Sequence, residues 1–253
     1  MLKLFRSHRA EPDPFAGPRG SRAYAIGDVH GRLDLMLELL DRIEADNRAR
    51  GPARTYVIFL GDLVDRGPDS KGVIDHLLTR PPSFARTVFL AGNHEEAFTR
   101  VLDGETAVVP GWLTYGGREC AQSYGINSAW LLAAPPDAII SEVRRAVPKS
   151  HVDFLRGLHD TFKFGDYLFV HAGIRPGVPV EDQLPGDLRW IREGFLDDET
   201  DHGVMVVHGH TIVEEVEERP NRIGIDTGAY RSGVLTALAV EGRERRLIQA
   251  SLD

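Results

Sequence analysis

The chain has 253 residues, and its 30 basic and 38 acidic side chains give a net charge of −8, which argues against binding to a nucleic acid polymer. No apolar run approaches the roughly 20 residues that span a membrane, so no membrane partner is expected. Cys120 is the only cysteine, which excludes an intramolecular disulfide and favours a cytoplasmic location.

The first part of the chain alternates between strand and helix patterns. Residues 1–21, rich in proline and glycine, are predicted to form a flexible lead-in to a domain over residues 22–253. This alternation predicts parallel strands covered by helices. Strands are predicted over residues 22–26, 55–60 and 87–90, and helices over residues 33–43 and 70–79.

After the third predicted strand, the alternation of strand and helix patterns stops. Residues 96–160 contain helical patterns and loops rich in glycine and proline but no regular strand signal, so we predict a helical cap insertion there. Strand patterns resume over residues 167–170, 204–207, 222–225, 234–240 and 246–250. The last two are close enough for an antiparallel hairpin with a turn over residues 240–243. The predicted fold class is therefore α/β, with two mixed β-sheets flanked by helices.

Five short runs place a potential metal ligand or proton donor directly after a strand-like stretch. They are GDVHG (27–31), GDLVDRG (61–67), GNHE (92–95), HAG (171–173) and HGH (208–210). Side chains at the carboxyl ends of parallel strands face a common crevice, so we expect these runs to converge. Nitrogen and oxygen donors without thiolate suit Mn²⁺, Fe or Zn²⁺. The sequence thus predicts two divalent metal ions, an arrangement that often cleaves phosphate esters.

The ordered set of motifs resembles the phosphoprotein phosphatase branch of the calcineurin-like metallophosphoesterases, whose fold is an α/β/β/α sandwich. The run WLTYGG (112–117) is similar to the bacterial and phage-type Ser/Thr protein phosphatases. The runs IDTG (225–228) and LTAL (235–238) are instead similar to the symmetrical diadenosine tetraphosphate hydrolases, a sister group. The resemblance extends over roughly residues 23–240, nearly the whole chain.

This resemblance implies a complete set of metal ligands. A first metal would be bound by Asp28 and His30, Asp62 would bridge both metals, and the second would be bound by Asn93, His171 and His210. Mn²⁺ is the expected metal, with Fe or Zn²⁺ as alternatives. A metal-bridging hydroxide would then attack phosphorus directly, without a phosphoenzyme.

The resemblance also implies the groups that act on the substrate. His94 would protonate the leaving oxygen, and Asp65 would orient its ring. Arg66 and Arg192 would bind the phosphate, because a guanidinium can contact two phosphate oxygens at once.

Plainer interpretations apply to several neighbouring residues. His208 could support a ligand or act through its backbone carbonyl, and Tyr230 could line the cleft or pack in the core. Trp112 and Tyr115 are predicted to belong to the core of the cap. Glu95 is interpreted as an ordinary carboxylate at a helix N-terminus.

The leading hypothesis is a metal-dependent phosphatase, of the Ser/Thr type, that acts on phosphorylated proteins or peptides. The alternative is a symmetrical hydrolase of a dinucleoside polyphosphate such as diadenosine tetraphosphate, using the same site. A non-hydrolytic phospho-binding regulatory module is a third hypothesis. It is disfavoured because the bridging carboxylate Asp62, the acid pair His94 and Asp65, and Arg66 are all present.

Overall fold

Two five-stranded β-sheets organise residues 15–252, the part of the chain that the computed structural model describes. The strands are β1 Ser21–Ile26, β2 Arg54–Phe59, β3 Arg86–Phe89, β4 Thr161–Phe164, β5 Tyr167–Val170, β6 Met205–His208, β7 Glu217–Glu218, β8 Arg222–Gly224, β9 Val234–Glu241 and β10 Glu244–Ser251.

Both sheets are mixed. The first has the order β10-β9-β1-β2-β3, in which β1, β2 and β3 are parallel and β9 runs antiparallel to β1. The second has the order β4-β5-β6-β8-β7, in which β5, β6 and β8 are parallel. Each sheet therefore brings the carboxyl ends of three parallel strands to one edge, as the alternating pattern predicted.

The helices lie mainly between β1 and β4. They are α1 Leu33–Ala49, α2 Ser70–Thr79, α3 Asn93–Asp103, α4 Val109–Trp112, α5 Arg118–Ser123, α6 Ser128–Ala133, α7 Pro136–Ala146, α8 Lys149–Arg156, α9 Pro185–Trp190 and α10 Ala229–Ser232. Helix α3 ends at Gly104, whose left-handed backbone (φ 101°) lets its N–H bond the carbonyls of Arg100 and Val101. None of the helices within residues 15–252 is long and apolar enough to traverse a bilayer.

Alternation along β1 explains the layering. Tyr24 and Ile26 pack against the helices, whereas Ala23 and Ala25 pack against the second sheet. On the far side of the second sheet, Leu168 lies in a third apolar cluster with residues of and around α9. The order of layers is therefore helix, sheet, sheet, helix, which confirms the predicted fold class.

The helical segment after β3 shares its core with the rest of the fold. Phe98, Trp112 and Val143 belong to the same buried cluster as Leu39 of α1 and Ile26 of β1. Cys120 is also fully buried in this cluster, where it packs as a small apolar residue.

Two parts of the chain differ from the simplest expectation. Strand β4 was not predicted; it is a four-residue strand at the edge of the second sheet, joined to β5 by a tight turn at Gly165 (φ 62°). Of the predicted lead-in, residues 1–14 lie outside the described residues. Phe15 packs against the apolar cluster between the two sheets. The N–H of Gly17 donates to the carbonyl of Gly242 (2.7 Å) at the turn between β9 and β10.

Candidate active site

The loops that follow the parallel strands meet at one place, and backbone hydrogen bonds join them. The N–H of His30 donates to the carbonyl of Asp62 (2.7 Å), and the N–H of Gly209 donates to that of His171 (2.8 Å). The N–H of His210 donates to the carboxylate of Asp28 (3.1 Å), which ties the two sheets together. The six predicted metal ligands are all buried here: Asp28, His30, Asp62, Asn93, His171 and His210.

The backbone of this region is strained. Among the described residues, the non-glycine residues with a left-handed backbone are His30 (φ 45°), Asp62 (46°), Asp65 (69°), Arg66 (65°) and His210 (62°). Each costs roughly 1–2 kcal/mol for an L-residue, and such strain concentrates where function requires it. All five belong to the predicted site.

Two histidine rings are oriented by backbone carbonyls. The Nδ1–H groups of His30 and His171 donate to the carbonyls of Val64 (2.8 Å) and Leu60 (2.9 Å), because a carbonyl can only accept. Each Nε2 therefore carries a lone pair, and each lies 3.5 Å from a carboxylate oxygen of Asp62.

These rings are neutral at physiological pH. Burial lowers the pKa of His171, takes that of His30 well below its usual range and takes that of His210 to about 3. Lone pairs that face a carboxylate without a proton between them repel each other. The Nε2 of His30 is moreover buried without a hydrogen-bond partner. A cation between these donors would remove the conflict, so the residues fit a metal centre.

Two adjacent groups of donors share one carboxylate. His30, Asp62 and His94 form one group, Asp62, His171 and His210 form the other, and the ligand atoms within each group lie within 4.8 Å of one another. The amide oxygen of Asn93 lies 3.0 Å from Nε2 of His171, beside the second group. Asp28 belongs to neither group of three, although its carboxylate is bonded to the backbone of His210.

A further buried carboxylate lies beside Asp28. Burial and the neighbouring charges of Asp226 and Asp62 raise the pKa of Asp28 well above its ordinary value. Burial also raises the pKa of Asp226 to about 6, and Asp226 accepts the N–H of Gly228 (2.9 Å). Asp226 was not among the predicted site residues, yet it follows the end of β8 just as the other ligands follow their strands. So many buried carboxylates need nearby positive charge to stay ionised.

His94 lies at the end of a buried hydrogen-bond chain. Its Nδ1 is 2.7 Å from one carboxylate oxygen of Asp65, and the other oxygen accepts the indole N–H of Trp112 (3.1 Å). Trp112 also stacks on Phe98, with ring centroids 5.5 Å apart. Burial alone would lower the pKa of His94, but the charges of Asp62 and Asp65 outweigh it and raise this pKa. The geometry therefore favours a protonated, oriented imidazole.

Glu95 does more than occupy the first turn of a helix. One of its carboxylate oxygens accepts the N–H groups of Asp62 (2.8 Å) and Gly92 (2.9 Å). The other accepts those of Leu63 (2.7 Å) and Val64 (3.2 Å). It therefore shapes the loop that carries Asp62, which goes beyond its interpretation as an ordinary carboxylate at a helix N-terminus.

Arg66 is fixed in place by two contacts. Its backbone N–H donates to the carbonyl of Gly116 (3.0 Å), and its guanidinium lies 4.8 Å from the ring centroid of Tyr230. The ring of Tyr230 also meets that of His30 edge-on at 5.3 Å, so Tyr230 belongs to the site's surroundings. Arg192 bonds the carbonyl of His210 (3.3 Å).

A cleft of about 580 Å³ opens beside this centre, lined in part by Arg66, Asn93, His94, Arg192 and His210. The two arginines therefore lie where a phosphate bound at the centre could reach them.

One side chain, Tyr115, departs from its sequence interpretation, whereas His208, which was not predicted to be a side-chain ligand, lies outside the clustered donors. Tyr115 also lines the cleft and is 66% exposed, so its predicted place in the core is wrong. His208 packs its buried ring against Phe195 (5.2 Å), and its carbonyl accepts the N–H of Ile225 within the second sheet. It is not one of the clustered ligands.

Comparisons with known proteins agree with this geometry. The asymmetrical bis(5'-nucleosyl)-tetraphosphatase PrpE of Halalkalibacterium halodurans is 28% identical over 238 residues, covering 84% of this chain and 87% of the relative. A symmetrical bis(5'-nucleosyl)-tetraphosphatase of Acidovorax sp. is 30% identical over 161 residues, covering 64% of this chain and 47% of that protein.

A crystal structure of a candidate diadenosine tetraphosphatase has the same fold, with a TM-score of 0.63 at 19% identity, covering 94% of this chain and all of that one. A model of the calcineurin-like phosphoesterase family matches residues 21–232. This match covers most of the chain, and the protein therefore belongs to the calcineurin-like metallophosphoesterase family.

Proposed function

We propose that the protein is a metal-dependent hydrolase of dinucleoside polyphosphates. The carrying observation is that Arg66 and Arg192 line one cleft of about 580 Å³ together with His94, and that Arg100, whose guanidinium is paired with Glu105 (2.7 Å), lies on the same wall. A chain of several phosphates matches this distribution of positive charge better than a single phosphomonoester does. Relatives of both bis(5'-nucleosyl)-tetraphosphatase types support the same substrate class. The proposal places the sequence's alternative hypothesis ahead of its leading one.

The metal centre is the first element of the proposal. Two divalent cations would be held by Asp28, His30, Asp62, Asn93, His171 and His210, with Asp62 shared between them. The mixture of carboxylate, imidazole and amide donors suits Mn²⁺, which we propose, and also Fe or Zn²⁺. When bound, such cations act as Lewis acids on the phosphoryl oxygens and activate the attacking water.

His94 supplies the proton for the leaving phosphate oxygen in this proposal. Its Nδ1 is bonded to Asp65, so its Nε2 is the nitrogen left to act, and that atom lies 3.9 Å from a carboxylate oxygen of Asp62. Asp65 holds the ring and stabilises its charged form, and the N–H of Trp112 holds Asp65 in turn. Proton transfer from such a group typically contributes ~10²–10⁴-fold to the rate.

Arg66 and Arg192 bind the phosphate chain. The backbone of Arg66 is held by Gly116 and its guanidinium lies over the ring of Tyr230, so the arginine loses less side-chain freedom when a phosphate binds than an unsupported one would. An arginine held in this way also offers two parallel N–H donors to one phosphate.

The experiment is hydrolysis of diadenosine tetraphosphate by the purified protein with Mn²⁺, with products separated by ion-exchange chromatography. Symmetrical cleavage yields only ADP, whereas asymmetrical cleavage yields ATP and AMP. The proposal is refuted if no divalent metal supports turnover of the dinucleotide while a phosphopeptide is dephosphorylated.

A Ser/Thr protein phosphatase is the second candidate. It is favoured by the WLTYGG run, since the structure places Trp112 against Asp65 and Tyr115 on the wall of the cleft. The chemistry at the centre would be the same. The ratio of kcat/KM for a phosphopeptide to that for diadenosine tetraphosphate decides between the two. A cytoplasmic location is part of either proposal.

A further inference from the structure

Two exposed aromatic side chains line the cleft beside the candidate catalytic residues. Among the described residues, the large aromatic side chains that are exposed are Tyr115 (66%), Trp130 (39%) and Trp190 (45%). Tyr115 and Trp190 line the cleft that also contains Arg66 and His94, whereas Trp130 lies elsewhere on the surface. An isolated exposed aromatic residue needs no explanation, but a pair that shares one cleft with phosphate-binding groups does.

The backbone next to Tyr115 is held in place at Gly116. The helical path breaks here, because Gly116 adopts a left-handed backbone (φ 112°). The carbonyl of Gly116 accepts the N–H of Arg66 (3.0 Å), and a Cβ atom at position 116 would lie 2.4 Å from that nitrogen. Tyr115 is therefore presented at a fixed position next to the arginine that would bind phosphate.

Trp190, the last residue of α9, comes from a distant part of the sequence and is held by contacts of its own. Its indole N–H donates to Glu96 (3.3 Å), and the neighbouring Arg189 is paired with Glu96 (3.3 Å) and Asp160 (2.6 Å). The polar edge of the indole is thus satisfied by the protein, while almost half of the side chain stays exposed in the cleft. Arg192, two residues further, lines the same cleft.

We propose that Tyr115 and Trp190 form a nucleobase-stacking subsite for one end of the substrate. This proposal rests on the proposed function, because it assigns the base of a dinucleoside polyphosphate to this wall. Flat aromatic rings bind any base by stacking, and the adjacent arginines would hold the phosphates that lead from the base to His94. A peptide substrate would not require two such surfaces in one cleft with the guanidinium groups of Arg66 and Arg192.

The test compares two substrates that differ in the base. Diadenosine tetraphosphate carries bases, and inorganic tripolyphosphate carries only the phosphate chain. Tyr115→Ala and Trp190→Ala should each reduce kcat/KM for the dinucleotide relative to tripolyphosphate by roughly 5- to 100-fold, the range typical of one base–aromatic contact. Trp130→Ala is the matched control, and Trp190→Phe should restore most of the selectivity because phenylalanine also stacks.

A binding measurement in the full-length protein needs no turnover. ADP should quench tryptophan fluorescence in the wild type and in Trp130→Phe, and this quenching should be lost in Trp190→Phe. Trp112 also lines the cleft, so the decisive comparison is the size of the quenching: equal quenching in Trp190→Phe and in the wild type overturns the subsite, whatever the kinetics of the alanine variants.

The outcomes separate the two proposals. If the wild type hydrolyses tripolyphosphate but not diadenosine tetraphosphate, the proposed function fails and the subsite fails with it. If the wild type hydrolyses the dinucleotide and the alanine variants keep its selectivity, only the subsite fails. A rise in KM for a phosphopeptide, with adenine nucleotides unaffected, would reassign the two aromatic residues to peptide binding.

Discussion

Glu95 offers a sharp test of how the ligand loop is built, through the nearly isosteric change Glu95→Gln. The carboxylate accepts four backbone N–H groups, two on each oxygen. A glutamine side chain keeps only one oxygen, so its NH₂ group must face one of the two pairs of donors. Either the N–H groups of Asp62 and Gly92 or those of Leu63 and Val64 then lose their acceptor in a buried region.

Each unsatisfied buried donor costs about 1–3 kcal/mol, so the change should destabilise the fold by roughly 2–6 kcal/mol. This is a large part of the ~5–15 kcal/mol that stabilises a typical domain. Urea unfolding of the metal-loaded protein, followed by circular dichroism, measures the free energy of unfolding. Elemental analysis should also show lower metal content, because Asp62 is carried by the same loop.

Glu44→Gln is the matched control, because Glu44 lies on the exposed face of α1 and, within residues 15–252, its ion pair is with Arg48 (3.0 Å). We expect a change of no more than about 0.5 kcal/mol there. A loss of less than 1 kcal/mol in Glu95→Gln would show that the four hydrogen bonds do not support the loop, and the reasoning would be wrong.

Three further results are expected. His94→Asn should reduce turnover by ~10²–10⁴-fold while elemental analysis finds the metal content nearly unchanged; equal loss of both would contradict the role of His94 as an acid. Since the acid must be protonated, activity should fall as pH rises through the pKa of His94, which Asp65 helps to raise. Asp65→Asn should therefore move the alkaline limb of the kcat profile to lower pH, and an unmoved limb would exclude this electrostatic role. Tyr230→Leu should raise KM by roughly 2- to 5-fold, with a smaller effect on kcat, because ~0.5–1 kcal/mol of cation–π attraction to Arg66 is lost; an unchanged KM would show that Tyr230 does not position this arginine.

The fold and the convergence of the candidate ligands could be predicted because both depend on local pattern. Buried parallel strands read as continuous apolar runs, as in β2 and β5, and the ligands Asp62 and His171 stand at or next to the strand ends. Strand β4 could not be found in this way. Phe164 is its one buried residue, so its strand state depends on pairing with β5, and the other three residues, which are partly or fully exposed, give no sequence signal of this pairing.

The missed site residues depend on contacts between distant parts of the chain. Glu95 bonds backbone groups about thirty residues away, and no sequence spacing encodes this. Asp226 could have been found from the sequence, since it follows a strand as the candidate ligands do. Tyr115 was misplaced because the helix is broken at Gly116, and this break is supported by a contact with Arg66 in a distant part of the chain.

At the left-handed residues of the site, catalysis and folding stability favour different amino acids. At His30, Asp62, Asp65, Arg66 and His210, glycine would adopt the observed backbone without strain, yet it would remove the very side chain that the centre needs. The most heat-resistant version of this chain and its most active version should therefore differ at these positions. A laboratory selection for thermal stability alone should therefore enrich glycine or asparagine at these positions. The selected protein would be more stable but would not catalyse the reaction.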